Sequence, residues 1–404
     1  MKIIIFNTLY YPYQIGGAER SVQLLAESLS NNGDEVTVVT LHDSNDVEQV
    51  NYNGVSIVRL PLLNFYWPWR EVQGRVTKLF WHIRDIYNSK MLEIITNRFA
   101  SETYDVVHTN NLCGFSVAVW EWAKQRNFPI VHTARDYYLM NPNAKLFRKG
   151  ENHSPKTIDS LIFSFVKRRD ARKVTKFVGI SQYIKKLHVQ NDFFRNEISE
   201  VIYNSIDIKR TPWPNKRKYK DGGRVTFGYL GRIEENKGIE FLLNALDKLG
   251  REDLNLLVAG KGDDEYLQFL ERKYSKINVE FIGTVKINDF FPQIDYLITP
   301  SLWHEPFGRV VVEANSFGVP VLGSNRGGIP EIIVENETGF VFDADDQYSL
   351  VTLLQNVLMF DGHKYSTLSE NSVLFSQKFS SENVMREYVR IYDDAIQSNS
   401  AERM

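Results

Sequence analysis

Lys2–Asn7 is a run of β-branched and apolar residues, Gly16-Gly17 breaks the chain after it, and Val22, Leu25, Ala26 and Leu29 then recur at i, i+3, i+4 and i+7. Asn31-Asn32-Gly33 closes that amphipathic helix, because Asn and Gly tolerate the left-handed C-terminal position. Val36–Thr40 supplies the next strand. Strand, helix and strand in this order form a βαβ unit, since parallel strands need a crossover and the helix provides it. Further buried strands are expected at Ser56–Leu60, Val106–Thr109, Ile130–Thr133, Phe177–Ile180 and Glu200–Tyr203, which implies a parallel sheet covered by helices.

The same rhythm restarts later in the chain. Strands are expected at Val225–Leu230, Asn255–Ala259, Val279–Ile282, Tyr296–Thr299, Val319–Gly323 and Gly339–Phe342, with helical periodicity at Ile239–Leu249 and Val310–Phe317. Between the two sets lies Lys209 to Arg224, whose Thr211-Pro212-Trp213-Pro214 cannot be regular structure: proline lacks an N–H donor and restricts the residue before it. A chain of 404 residues also exceeds what one core usually holds. The expected organisation is an α/β protein with a Rossmann-like domain at 1–208, a linker at 209–224 and a second Rossmann-like domain at 225–380, with a cleft between the domains. The final segment, 381–404, contains a helix at Glu382–Ile396 expected to pack back on the first domain.

Ligands of open α/β sheets bind beyond the carboxyl ends of the strands. Gly231-Arg232-Ile233-Glu234-Glu235-Asn236-Lys237-Gly238 follows the strand ending at Leu230, so Arg232 and Lys237 emerge there as two cations suited to a diphosphate. Arg grips phosphate oxygens with a planar fork, Lys adds a point charge, and both stabilise the negative charge that grows on a departing nucleotide. Ala259-Gly260-Lys261-Gly262-Asp263 repeats a glycine-rich turn at the next strand end. In His304-Glu305-Pro306-Phe307-Gly308-Arg309-Val310, Pro306 and Gly308 mark a tight loop before a helix that begins at Arg309. The backbone N–H groups of Phe307 to Val310 then lie at a helix N-terminus, which attracts anions. Glu305 precedes that helix and Glu313 lies about one turn inside it, so one carboxylate can reach a sugar and the other a ribose. Taken alone, two such glutamates are more often a helix-dipole partner and a surface ion pair. In the first domain Gly16-Gly17-Ala18-Glu19 opens a helix and lets backbone approach a phosphate. The G-x-G-x-x-G spacing of dinucleotide oxidoreductases and the Walker pattern are both absent.

Taken in order, GGAE after the first strand, GR-x4-KG after the first strand of the second domain, GKGD at its next strand end and E-x7-E within HEPFGRVVVEAN resemble the retaining glycosyltransferases of family 4, or group 1. The resemblance spans most of the chain. It implies the GT-B fold, in which two Rossmann-like domains with parallel sheets face a central cleft. It also implies retaining transfer of a sugar from a nucleotide diphosphate sugar, with UDP favoured over GDP, to a saccharide or lipid-linked acceptor in polysaccharide or glycan assembly. By the resemblance, Arg232 and Lys237 hold the diphosphate, assisted by Gly17 and the helix start at Phe307–Val310. Glu313 binds the ribose hydroxyls and Glu305 the donor sugar, so Arg232, Lys237 and Glu305 form the catalytic set. Gly16, Gly260, Lys261, Gly308 and Arg309 complete the donor side. Arg326-Gly327-Gly328-Ile329-Pro330-Glu331 matches the family's glycine turn beside this site, and Val201–Asp207 its interdomain segment. Thr133-Ala134-Arg135-Asp136-Tyr137 resembles the acceptor-side segment, where a histidine often precedes the aspartate. Here Arg135 takes that place, and His132, Arg135 and Asp136 are carried as acceptor-side candidates. No D-x-D metal motif stands out, so charge neutralisation is expected to fall to Arg232 and Lys237, with no cofactor, no metal and no nucleic-acid partner. Two other classes remain open: an epimerase or phosphorylase on the same fold, and a non-catalytic sugar-nucleotide-binding scaffold.

Charge is unevenly spread. Residues 1–224 carry 32 Lys and Arg against 22 Asp and Glu, whereas residues 225–404 carry 16 against 28. The basic excess concentrates between Lys145 and Lys186, where Lys167-Arg168-Arg169 and Arg172-Lys173 sit among Phe147, Phe163, Phe165 and Phe177. That run reads either as a solvated helix face or as a surface for an anionic partner, a membrane leaflet or a phosphate-bearing acceptor. The aromatic run Asn64–Arg70 with Phe80-Trp81-His82 reads equally as core or as an apolar lip for a lipid-linked acceptor. One cysteine, Cys113, leaves no intramolecular disulfide, and no stretch approaches the ~20 apolar residues of a spanning helix. Ile3–Phe6 is too short for a signal-peptide core. The expected location is cytoplasmic, at most at the inner face of a membrane.

Overall fold

The computed structural model describes residues 1–13, 16–68, 70, 73–208, 219 and 223–401; most of the expected linker, 209–218 and 220–222, and Trp69 of the aromatic run lie outside them. The chain divides into two compact units. Met1–Leu146, His153–Ser205 and Ser381–Met404 form the first, and Phe147–Asn152 with Ile206–Ser380 form the second.

Strands β1 (Lys2–Phe6), β2 (Glu35–His42), β3 (Glu48–Tyr52), β4 (Val55–Pro61), β5 (Val106–Thr109) and β6 (Ile130–Ala134) come first. A short hairpin of β7 (Phe147–Arg148) and β8 (Glu151–Asn152) follows, then β9 (Lys176–Gly179) and β10 (Ser199–Val201). The sheet of the first unit runs β10-β9-β6-β5-β1-β2-β4-β3. Every pair in it is parallel except β3 with β4. Ile3, Ile4, Ile5 and Phe6 are all fully buried, as a central parallel strand covered on both faces requires. The helix Gly17–Asn31 contributes Val22, Leu25, Ala26 and Leu29 to this core, and the helix Ser381–Ala401 contributes Val384, Tyr388, Ile391, Tyr392 and Ala395. The latter helix is fixed by polar contacts as well: the Tyr392 hydroxyl shares a hydrogen bond of 2.8 Å with His108 Nδ1, and the Tyr388 hydroxyl one of 3.1 Å with Thr133.

In the second unit β11 (Val225–Leu230), β12 (Leu254–Ala259), β13 (Val279–Gly283), β14 (Tyr296–Thr299), β15 (Val321–Ser324) and β16 (Gly339–Phe342) form one parallel sheet in the order β13-β12-β11-β14-β15-β16. Strand order therefore reverses between β11 and β14, and the crevice beyond their carboxyl ends is where doubly wound sheets bind ligands. The helix Ile239–Leu249 lies between Gly238 at φ 73° and Gly250 at φ 62°, two left-handed positions that delimit it.

Three sequence readings change. Strand β3 is antiparallel and exposed along most of its length, so it lacks the buried pattern that betrays the other strands. Lys167 is not part of a solvated basic face: it is fully buried, its Nζ donates to the Tyr138 carbonyl at 3.1 Å and lies 3.3 Å and 3.8 Å from the ring centres of Tyr138 and Phe163. The aromatic run is split, with Trp81 buried in the core while Phe65 and Phe80 are more than half exposed.

Candidate functional site

The loops after β11, β12, β14 and β15 meet at the switch point of the second sheet through backbone contacts that exclude side chains. A Cβ on Gly260, at φ 147°, would lie 1.7 Å from the Gly231 carbonyl oxygen, and one on Gly238 would lie 1.8 Å from that of Pro300. These glycines let the post-β11 loop press against its neighbours on both sides. Backbone hydrogen bonds from Gly231 N to Ala259 O at 3.0 Å and from Ile233 N to Lys261 O at 2.8 Å complete the seam.

Within this frame Lys237 and Glu305 come together. Lys237 Nζ donates to Glu305 Oε2 at 2.6 Å, and the same oxygen accepts from Trp303 Nε1 at 2.8 Å and Ser301 Oγ at 3.4 Å. Both side chains are largely buried, 17% and 18% exposed. Burial alone would raise the Glu305 pKa, but Lys237 and the two neutral donors outweigh it and hold the carboxyl below its ordinary value. Glu305 is thus a fixed carboxylate. Its backbone is braced from the loop after β15, where Gly328 N donates to Glu305 O at 2.7 Å and a Cβ on Gly327 would lie 2.1 Å from that oxygen.

Arg232 stands at the start of the same loop, 53% exposed and 3.0 Å from Glu234. Lys261 is exposed. The helix after β14 is Arg309–Ser316, with Gly308 as its N-cap at φ 94°. Phe307 is buried, Val310 is half-buried, and Arg309 Nε pairs with Glu313 Oε1 at 2.6 Å, an i,i+4 arrangement that leaves both side chains about one-sixth exposed. The surface-pair reading of Glu313 is therefore correct in part: the pair exists, but it is mostly buried. Sequence reasoning missed Asn152. Its Nδ2 donates to Leu302 O at 2.8 Å and its Oδ1 accepts from His304 N at 2.9 Å, so one side chain from the β7–β8 hairpin clamps the loop that carries Trp303 and Glu305. A two-residue strand has no periodicity, and nothing local in the sequence marks this role.

The first unit holds the other candidates. Gly16 and Gly17 open the helix Gly17–Asn31, and Glu19 Oε2 accepts the Gly16 N–H at 2.9 Å, an intrahelical cap on that end. Arg135 is buried, donates from Nε to Asn110 Oδ1 at 2.9 Å and bonds Asn204 through its guanidinium. Asp136 accepts the Tyr138 N–H at 2.8 Å, and burial pushes its pKa up to about 6 against the hydrogen bonds it accepts. His132 lies in the core of the first unit. It is 2% exposed, its Nδ1 shares a hydrogen bond of 2.9 Å with Thr109 Oγ1, and its ring packs among Trp120, Phe177 and Phe194. Burial, then the neighbouring His188, lowers its pKa to about 3, so it is a neutral core histidine.

Known proteins match this arrangement. Residues 15–210 match the model of Glycosyltransferase Family 4, and residues 213–372 that of Glycosyl transferases group 1. A Klebsiella pneumoniae protein described as an uncharacterized 42.6 kDa protein in cps region is 40% identical over 339 residues, covering 82% of this chain and 87% of its own. Among solved structures, sucrose-phosphate synthase from Thermosynechococcus elongatus superposes with a TM-score of 0.78 at 20% identity, over 98% of this chain and 99% of that one. Anabaena Alr3699/HepE, in complex with UDP, gives 0.73 at 19% identity, over 98% and 100%. The chain belongs to the family 4 glycosyltransferases, glycosyl transferases group 1, and has the GT-B fold.

Proposed function

We propose that the chain transfers a sugar, with retention, from a nucleoside diphosphate sugar to a saccharide or lipid-linked acceptor in glycan assembly, with UDP favoured over GDP as the donor nucleotide. The observation that carries the reading is the Lys237–Glu305 pair at the switch point of the second sheet, with the exposed Arg232 on the same loop. In this reading Arg232 and Lys237 meet the diphosphate, Lys261 and the Phe307–Val310 helix start add donors, Glu313 takes the ribose hydroxyls and Glu305 the donor sugar. The departing diphosphate gains charge, and the two cations stabilise it. Glu305, already ionised against Lys237, orients sugar hydroxyls. The acceptor hydroxyl approaches on the face the nucleotide leaves, and the leaving diphosphate helps take its proton. No cofactor or metal enters this scheme. Arg135 and Asp136 are the acceptor-side candidates. Alr3699/HepE has been captured with UDP, UDP and glucose, and UDP-glucose, which supports the choice of nucleotide.

The test is incubation with UDP-, GDP- and ADP-sugars and a saccharide panel, reading nucleotide release and glycosylated product. Transfer predicts release that rises with one acceptor and falls on the order of 10²–10³-fold in Arg232→Ala. A changed sugar still attached to its nucleotide would identify an epimerase, and an unchanged sugar nucleotide under every condition would identify a binding scaffold.

A further inference from the structure

The helix Ile158–Asp170 is inside out. Its buried positions are Ser160, Phe163, Ser164, Lys167 and Asp170, whereas Ile158, Leu161, Ile162 and Phe165 point to solvent, 40% to 79% exposed. These four recur at i, i+3, i+4 and i+7, an apolar stripe that faces away from the core it would ordinarily join. The inversion is anchored by Lys167, held by the Tyr138 carbonyl and the rings of Tyr138 and Phe163. The helix Arg75–Ile86 packs beside it, His82 touching Phe163 at 6.1 Å between ring centres. That neighbour repeats the pattern: Val76, Leu79, Phe80 and Ile83, also at i, i+3, i+4 and i+7, are 53% to 68% exposed, while it buries only Trp81 and Asp85.

Eight large apolar side chains, all at least 40% exposed on two helices that pack together, are more than scattered surface hydrophobics, and such surfaces mark interaction sites. Their charges choose the partner. Arg75, Lys78 and Arg84 on one helix, and Lys156, Arg168, Arg169 and Arg172 around the other, outnumber the acids of the same segments: Asp159 is exposed, whereas Asp85 and Asp170 are buried, Asp170 paired with Arg169 at 2.8 Å. On the helix Ile158–Asp170, Arg168 and Arg169 continue the same stripe, and Arg172 follows in the 3-10 turn Ala171–Lys173, so one face is apolar at its start and cationic at its end. A second copy of the chain would bring identical cation sets together in a two-fold contact, which repels.

We propose that this two-helix face docks on the interface of a bilayer that carries anionic lipids, its apolar stripes entering the boundary between headgroups and acyl chains and its cations meeting the headgroups. The attachment is peripheral, and no helix among the described residues is long and apolar enough to cross a membrane. It stands apart from the transferase reading.

The experiment is co-sedimentation of the full chain, without nucleotide or acceptor, with vesicles of phosphatidylcholine alone and of phosphatidylcholine and phosphatidylglycerol in equal parts, at low and high salt. The wild type sediments with the anionic vesicles and is released by salt. Ile162→Glu/Phe165→Glu on one helix and Leu79→Glu on the other each weaken that binding by at least about tenfold. All three positions are solvent-exposed, so circular dichroism melts as in the wild type, and either variant decides the matter if the other fails to fold. A wild type that stays in the supernatant, or variants that sediment like it, overturns the proposal. So does a dimer in analytical ultracentrifugation that the same substitutions dissociate, which would assign the face to a second copy.

Discussion

Replacing Lys237 with Met keeps an unbranched stem and removes the ammonium, which pairs with Glu305 and lies 4.9 Å from the centre of the Trp303 ring. Removing one partner of a buried pair costs about 3–5 kcal/mol, and with side chains 17% and 18% exposed we take about 2–3 kcal/mol. For a unit of this size that lowers Tm by roughly 4–12 °C. The pH dependence gives the reasoning its sharper test. In the wild type the Glu305 pKa lies below the ordinary 4.5, so its ionised form adds stability above about that pH, and the contribution is lost as pH falls through the folded pKa. Without Lys237 burial is no longer outweighed and the folded pKa rises, so the ionised carboxylate becomes a penalty that acid relieves. The difference in Tm between wild type and variant is therefore greatest near pH 7 and shrinks below pH 4.5, as read by calorimetric scans across that range. A difference under about 1 °C at pH 7, or one that stays constant into acid, would refute the argument.

Three further substitutions probe the frame around that pair. Gly327→Ala places a Cβ 2.1 Å from the Glu305 carbonyl oxygen at φ 61°, so it should cost roughly 2 kcal/mol or more and lower kcat by at least about tenfold, checked by melting and steady-state kinetics. Asn152→Ala removes both hydrogen bonds of the clamp on Leu302 and His304; it should cost about 1–3 kcal/mol and lower kcat more than it raises KM for the donor, whereas a change in KM alone would deny Asn152 a positioning role. Asp136 has a folded pKa of about 6 against an ordinary 3.8, so the wild type loses about 2–3 kcal/mol of stability as pH rises through that window. Asp136→Asn should flatten that slope in denaturant titrations at pH 4 and pH 7.

The fold class was legible because parallel strands buried on both faces must be continuous apolar runs. Val106–Thr109, Val225–Leu230 and Tyr296–Thr299 fall where their composition places them, and Gly238 and Gly250 delimit the helix Ile239–Leu249. Strand β3 was missed because Glu48-Gln49-Val50-Asn51-Tyr52 is exposed and has no buried face, although Asn53-Gly54, at φ 50° and 81°, is the two-residue turn of a hairpin that joins it to β4. The glycine turns of the candidate site were readable at strand ends, where Gly238 and Gly260 let backbones approach so closely that a Cβ would clash. That Lys237 meets Glu305, 68 positions away, follows only from the sheet order that sets β11 beside β14. Asn152 was hidden because its role rests on backbone groups of Leu302 and His304, which carry no sequence signal. Lys167 was misread for a related reason: periodicity assumes that apolar residues face inward, and the helix Ile158–Asp170 reverses that assumption.

The most direct test of the donor site is a thermal-shift panel of UDP, GDP, ADP and their sugar conjugates against the wild type, Arg232→Ala and Glu313→Ala. At a hundredfold excess over Kd a ligand of the folded state adds about 2.7 kcal/mol, or roughly 5–10 °C in Tm. The account predicts such a rise for one nucleotide, UDP first, and a smaller rise in both variants. A saturating panel that shifts nothing, or a rise that both substitutions leave intact, would contradict it.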